Sequence, residues 1–303
     1  MKTILITLLF SFSAVPLSAE GGDQDVQILL KEAHALKIEA TKALEQADSA
    51  KDKEQLKHLE TARDRLLKSR EHFSESLGQL QAEWRTYPRF IDRKENPDQY
   101  AARTRVEMSM IKAELEVAGN SYMQSRAADP EDKSRGTLLL QASQEYEKIH
   151  QKYRTMLAGL IARYWQARCF QEMGDIRKAL GIVRELLAHP GRSEQMLSLQ
   201  DGALHVQLAC LNHKTRRDYQ LVIDKAGTWI DLASEKRENS ASGQGIRWEF
   251  ANGLESAANQ NSSSAEERAK LLSEAVENLK LLSQGNGVYR KSAAKKLEEL
   301  GAK

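Results

Sequence analysis

LAGLIARYWQARCFQEMGDIRKALGIVRELLAHP, residues 157–190, carries two helical patterns separated by Gly174-Asp175 and closed by Pro190. The first runs from about Leu157 to Met173 and the second starts near Asp175. Within the second, Ala179, Val183 and Leu186 follow one another at intervals of four and three, which puts all three on one helical face. The small Ala sits where a neighbouring helix must come close. Gly174 relaxes the turn, and Pro190, which cannot continue a helix, stops the second one.

Working outward, the same spacing returns as Ala142, Tyr146, Ile149, then Ala226, Ile230, Ala233, then Ala275, Leu279, Leu282. The four alanines are 37, 47 and 49 residues apart, and the variation falls in the connecting loops. An earlier helix precedes each set, over about Asp98–Ala127, Leu157–Met173, Glu194–His213 and Gly245–Ala258. The paired helices begin near Pro130, Asp175, Arg216 and Ser264, and the stretches Asn239–Gly245 and Asn259–Ser264 read as polar loops. Units of this kind cannot bury their apolar faces alone, so four in series stack into a solenoid. A last helix, about Tyr289–Leu300, caps it.

The unit at 157–190 resembles a tetratricopeptide repeat through Ala162, Tyr164, Trp165, Ala167, Cys169, Phe170, Gly174, Asp175, Ala179, Leu180, Leu186, Leu187 and Pro190. Ala167, Gly174, Ala179 and Pro190 match the family's helix-A small residue, turn Gly, helix-B Ala and closing Pro. The other three units lack the turn Gly. The resemblance implies an all-α superhelix over residues 96–303, with a concave groove lined by the first helix of each unit. Such a groove binds a peptide or a partner's helix. Arg163, Gln166, Gln207 and Arg247 are the candidates for facing it.

Residues 20–95 read differently. Leu29, Ala33, Leu36, Ala40, Ala43 and Ala47 alternate at four and three, the seam of helices packed at a shallow angle. A second helix from about Asp52 to Trp84 carries Leu59, Ala62, Leu66, Phe73, Leu77, Leu80 and Trp84 on one side. The short Asp48–Asp52 link makes the two antiparallel, a coiled-coil-like hairpin with a face open to homodimerisation. His34, His58 and His72 are spaced too widely for one metal ion and are expected on the surface. The break from Tyr87 to Pro97 holds a candidate anchor cluster, Tyr87, Arg89 and Phe90, because aromatic and Arg residues dominate binding hot spots. The competing and favoured expectation is that its apolar residues fold back over the end of the hairpin. Asn96 and Pro97 read as the N-cap and first-turn proline of the next helix.

The N-terminus is a third pattern. Lys2, the apolar run Ile4–Phe10 and small residues up to Ala19 describe a signal peptide over residues 1–19, so the chain is expected to be exported, periplasmic or secreted. Retention as an anchor is the alternative. No later segment is apolar enough to span a bilayer. The net charge of +2, without a basic stripe, argues against nucleic acid. Phosphate-loop, nucleophile-elbow and zinc-protease motifs are absent, and no catalytic residue, metal or cofactor is expected. Cys169 and Cys210, on apolar stripes of separate helices, are expected to be buried thiols rather than a disulfide. His189, at a helix end, and Trp165, Trp229 and Trp248, on helices, have structural roles. Asn261-Ser262-Ser263 is a weak glycosylation match. The function expected is a non-catalytic protein-interaction scaffold of the cell envelope. The alternative is a helical accessory subunit of an envelope enzyme or assembly complex.

Overall fold

The computed structural model describes residues 24–129, 132–260 and 264–301, and every regular element among them is an α-helix. The expected signal segment, Pro130 and Asn261-Ser262-Ser263 lie outside the described residues. The chain divides into two compact units within its fifth helix, between Cys169 and Phe170.

The unit ending at Cys169 contains α1 (Gln24–Ser49), α2 (Asp52–Thr86), α3 (Pro97–Ala127), α4 (Lys133–Lys152) and most of α5 (Leu157–Glu172). Interhelical contacts give the directions. Glu39 pairs with Arg65 at 3.0 Å and Glu32 lies 3.3 Å from His72, so α1 and α2 run antiparallel. Arg63 donates to the Ala127 carbonyl at 2.8 Å and Arg70 to that of Val117 at 2.7 Å, which reverses α3 against α2. Ser121 donates to Glu145 and Lys152 to Glu114, at 2.8 and 2.6 Å, reversing α4 against α3. Alanines make the close approach possible: Ala33, Ala40, Ala62 and Ala113 are at most 1% exposed. The buried seam of α1 runs through Val26, Leu30 and Leu44 as well as the alanines, leaving Leu29 and Leu36 half-buried. His34 is exposed and edge-on to the Phe73 ring, whereas His58, near Glu54, and His72 are half-buried.

The unit extends well past the boundary near residue 95 that the sequence suggests, because α3 and α4 are tied to α2. Arg70 is the knot. Its guanidinium binds both carboxylate oxygens of Glu145 on α4 while also donating to Ser121 and the Val117 carbonyl on α3. Burial alone would push the Glu145 carboxyl up, but hydrogen bonds from Arg70, Gln141 and Ser121, with the guanidinium charge, hold it below the usual carboxylate range. A depressed folded-state pKa contributes stability that is present above the unfolded value and lost as pH falls through the folded one. Glu145→Gln is therefore expected to cost about 1–2 kcal/mol at pH 7. The loss should narrow towards pH 3, which thermal melts across that range would check.

The unit beginning at Phe170 contains α6 (Ile176–Leu187), α7 (Glu194–Asn212), α8 (Tyr219–Leu232), the single turn α9 (Glu235–Glu238), α10 (Ala241–Ala258), α11 (Ala265–Gln284) and α12 (Arg290–Glu299). Gly174 adopts φ +78°, the left-handed conformation that only Gly takes without penalty, and the Asp175 amide returns to the Phe170 carbonyl at 2.9 Å. Asp175 then caps α6 by accepting from the Lys178 amide. Ser193, Ser240 and Ser264 cap α7, α10 and α11 in the same way.

The Ser240 cap corrects one expectation. Ala241–Gly245 forms the first turn of α10 instead of a polar loop, since the cap satisfies the Gly243 amide and offsets the weak helix propensity of the Ser and Gly residues. Arg217, at φ 51°, likewise delays α8 to Tyr219 from the expected Arg216.

Of the repeat-packing positions, Ala142, Tyr146, Ala167, Ala179, Val183, Leu186, Ala226, Ala275 and Leu279 are all at most 2% exposed. Ile230 and Ala233 are only partly buried, and the turn and closing residues Gly174 and Pro190 are exposed. Trp229 takes the buried place beside Ile230.

Candidate interaction site

The directions of the helices after Phe170 define which surface is recessed. The Trp229 indole on α8 donates to Asp201 on α7, and the Asp218 amide returns to the Leu211 carbonyl, so α7 and α8 are antiparallel. Arg247 meets Asn278 and Asn259 meets Arg268, which makes α10 and α11 antiparallel too. Between the pairs, α7 and α10 run parallel: the His205 ring lies against Gly245, and the Asn212 amide donates to the Glu249 carbonyl at 2.9 Å. The first helices of successive pairs therefore stand side by side, and α8 also packs on α10. Neither α7 from Met196 to Asn212 nor α10 has a fully exposed residue.

On α7 a half-exposed stripe remains, Leu197, Gln200, Leu204 and Gln207, spaced three, four and three. Gln200 is held by the His189 carbonyl at 2.8 Å, which fixes the loop after α6. The Gln207 Oε1 is buried and has no hydrogen-bond partner among the described residues. An acceptor left open in this way costs free energy unless something else satisfies it.

The remaining candidates are held inside the fold. Arg163 binds Glu147 at 2.9 Å and Gln166 at 2.7 Å, joining α4 to α5. Gln166 is 6% exposed. Arg247 bridges Glu238 and Asn278, fixing α9 and α11 to α10. In the break after α2, Tyr87 packs on the hairpin core and Ile91 is 8% exposed, whereas Arg89 is exposed and Phe90 is 81% exposed. Tyr87 and Ile91 thus fold back on the hairpin, and Arg89 and Phe90 do not. Pattern reading missed Leu197, Gln200 and Leu204, although their alternating spacing on α7 was the available signal.

The aromatic side chains pack on one another. Trp165 stacks on Tyr146 and meets Tyr122 at 5.1 Å between ring centres. Trp248 stacks on Tyr289, whose hydroxyl lies 3.2 Å from His205 Nε2. Cys169 and Cys210 are thiols and fully buried. A notch of about 10 Å³ between α1, α2 and α3, lined by Leu30, His34, Phe73 and Glu116, is far smaller than a metabolite site. Among the described residues no group of three His, Cys, Asp or Glu is placed to hold a metal ion, and no helix is long and apolar enough to cross a membrane. No family model, curated protein or solved structure matches this chain.

Proposed function

We propose that this chain is a non-catalytic adaptor working outside the cytoplasm, which holds an extended or helical segment of a protein partner against α7. The observation that carries the reading is the parallel stacking of α7 on α10, each with its own antiparallel second helix. That arrangement supports the tetratricopeptide-like resemblance, in which first helices line the binding face. On α7 the stripe Leu197, Gln200, Leu204 and Gln207 offers alternating apolar and amide groups, a surface suited to one face of a peptide. Gln207 keeps part of its side chain at the surface, and a partner's N–H would meet its buried, unpartnered Oε1 after a change of rotamer. The basic-start, apolar and small-residue pattern of residues 1–19 supports placing this activity in the envelope.

Gln207→Met separates binding from folding. Removing an unpaired buried acceptor while keeping its volume is expected to leave stability unchanged or raise it by about 1 kcal/mol. Partner recovery from native envelope extract should fall by about tenfold, the loss of one well-placed hydrogen bond. Undiminished recovery would remove α7 from the site, and a destabilised variant would show the amide to be structural.

A further inference from the structure

The end of the α2–α3 hairpin is built unlike the rest of its unit. In the register set by Glu32 with His72 and Glu39 with Arg65, Gln24 at the start of α1 lies level with about residue 80 of α2. Helix α2 continues to Thr86, about 9 Å further. At the other side α4 ends level with Glu114, so α3 from Pro97 onward projects beyond it as well. Among the described residues, the loop joining α2 to α3 therefore caps a projecting tip.

Between Arg85 and Arg105 there are six basic residues, Arg85, Arg89, Arg93, Lys94, Arg103 and Arg105, against the three acidic residues Asp92, Glu95 and Asp98. Elsewhere in the unit several interhelical cations have carboxylate partners: Lys37 with Glu116, Arg65 with Glu39, Arg70 with Glu145, Arg163 with Glu147. At the tip, among the described residues, none of the six makes an ion pair. Arg103 donates to the Pro88 and Arg89 carbonyls and covers Trp84, fixing the loop, and Arg93 lies over Tyr100. Asp92 accepts from the Lys94 and Glu95 amides of its own turn. Arg85, Arg89, Arg93, Lys94 and Arg105 are all exposed. In their midst Phe90 stands 81% exposed, while its neighbour Ile91 is buried. A loop fixed by its own carbonyls thus presents one large apolar side chain close in sequence to exposed cations that make no ion pair among the described residues.

We infer that this tip docks on an anionic phospholipid surface, with Phe90 entering the headgroup–acyl boundary and Arg85, Arg89, Arg93 and Lys94 engaging lipid phosphates. Charge complementarity selects the occupant, since each unpaired cation near such a surface is attracted without fixed geometry. An exposed ring on a projecting loop suits a deformable interface, and apolar burial supplies the second term that electrostatics alone does not. The inference stands independently of the α7 site.

The test is flotation of the full chain with vesicles rich in phosphatidylglycerol and, separately, with pure phosphatidylcholine vesicles. The neutral vesicles report any contribution of the apolar N-terminal run, which is common to all variants. Binding is expected to be stronger on anionic vesicles and to weaken with salt. Arg89→Gln with Arg93→Gln should reduce the anionic affinity about thirtyfold. Phe90→Ser should reduce it about tenfold. Lys270→Gln with Lys280→Gln, at exposed positions on α11, should leave it unchanged. If Phe90→Ser fails to fold by circular dichroism, the arginine pair decides alone. Equal affinity for both vesicle types, or tip variants that bind like the parent, would overturn the inference. So would retention by immobilised poly-glutamate without vesicle binding, which would assign the tip to an acidic protein.

Discussion

Asp201→Ala is expected to lower the unfolding free energy by about 2–4 kcal/mol. The Asp201 carboxylate is 3% exposed and takes three hydrogen bonds, one from the Trp229 indole at 2.7 Å and two from the Arg237 guanidinium. Arg237 also lies over the Trp229 ring at 5.4 Å. Deleting the carboxylate leaves an indole N–H and a cation facing a gap that neither can fill. Arg237 keeps a third of its side chain in water, which holds the cost below that of a wholly buried broken pair. Asp201→Asn retains an acceptor for the indole and should lose about half as much. Urea unfolding would show the midpoint falling with little change in slope. Amide exchange should quicken first around α9, whose Arg237 is the anchor. A loss below about 0.5 kcal/mol would mean that water replaces the carboxylate without penalty.

Gly159→Ala is expected to be comparably damaging, for a steric reason. A Cβ at this position would stand 2.1 Å from the Tyr153 carbonyl oxygen and 2.7 Å from its carbon. Both belong to backbone, which cannot swing aside as a side-chain end would. The turn is held from both directions, by the Met156 amide on Tyr153, the Gly159 amide on Met156 and the His150 ring at the Gly159 carbonyl. Forcing it open also shifts α5 against α4 and strains the Arg163–Glu147 pair. A cost of about 2–4 kcal/mol follows from overpacking at this severity. Thermal unfolding of the variant measures it, and an unchanged midpoint would show that the turn can relax.

The helices were legible because their signals are local. Pro97 opens α3, Gly174 turns α5 into α6, Ser264 caps α11, and the alanine-led triplets mark buried faces. Two features were missed, one local and one long-range. Ser240 rescues a Ser- and Gly-rich segment that propensity assigns to a loop, and only the capping geometry reveals it. The unit boundary near Cys169 depends on Arg70 finding Glu145 across 75 residues, which no window of sequence displays. The candidate site was legible only in part. Gln207 could be picked from its helix, but the open acceptor that distinguishes it from Gln166 comes from packing. Arg163 and Arg247 look identical to groove cations in sequence, and their carboxylate partners Glu147 and Glu238 become visible only once the helices are assembled. Phe90 and Ile91, adjacent and both apolar, take opposite fates because Arg103 clamps the carbonyls just before them.

The adaptor reading is tested most directly by placing a photo-cross-linking residue at Gln207, and separately at the exposed Lys270 on α11, then irradiating native envelope extract. A discrete adduct formed at position 207 and not at 270, and competed away by excess unlabelled protein, is the predicted result. No adduct at 207 from a correctly folded chain, or equal adducts at both positions, would contradict binding on α7.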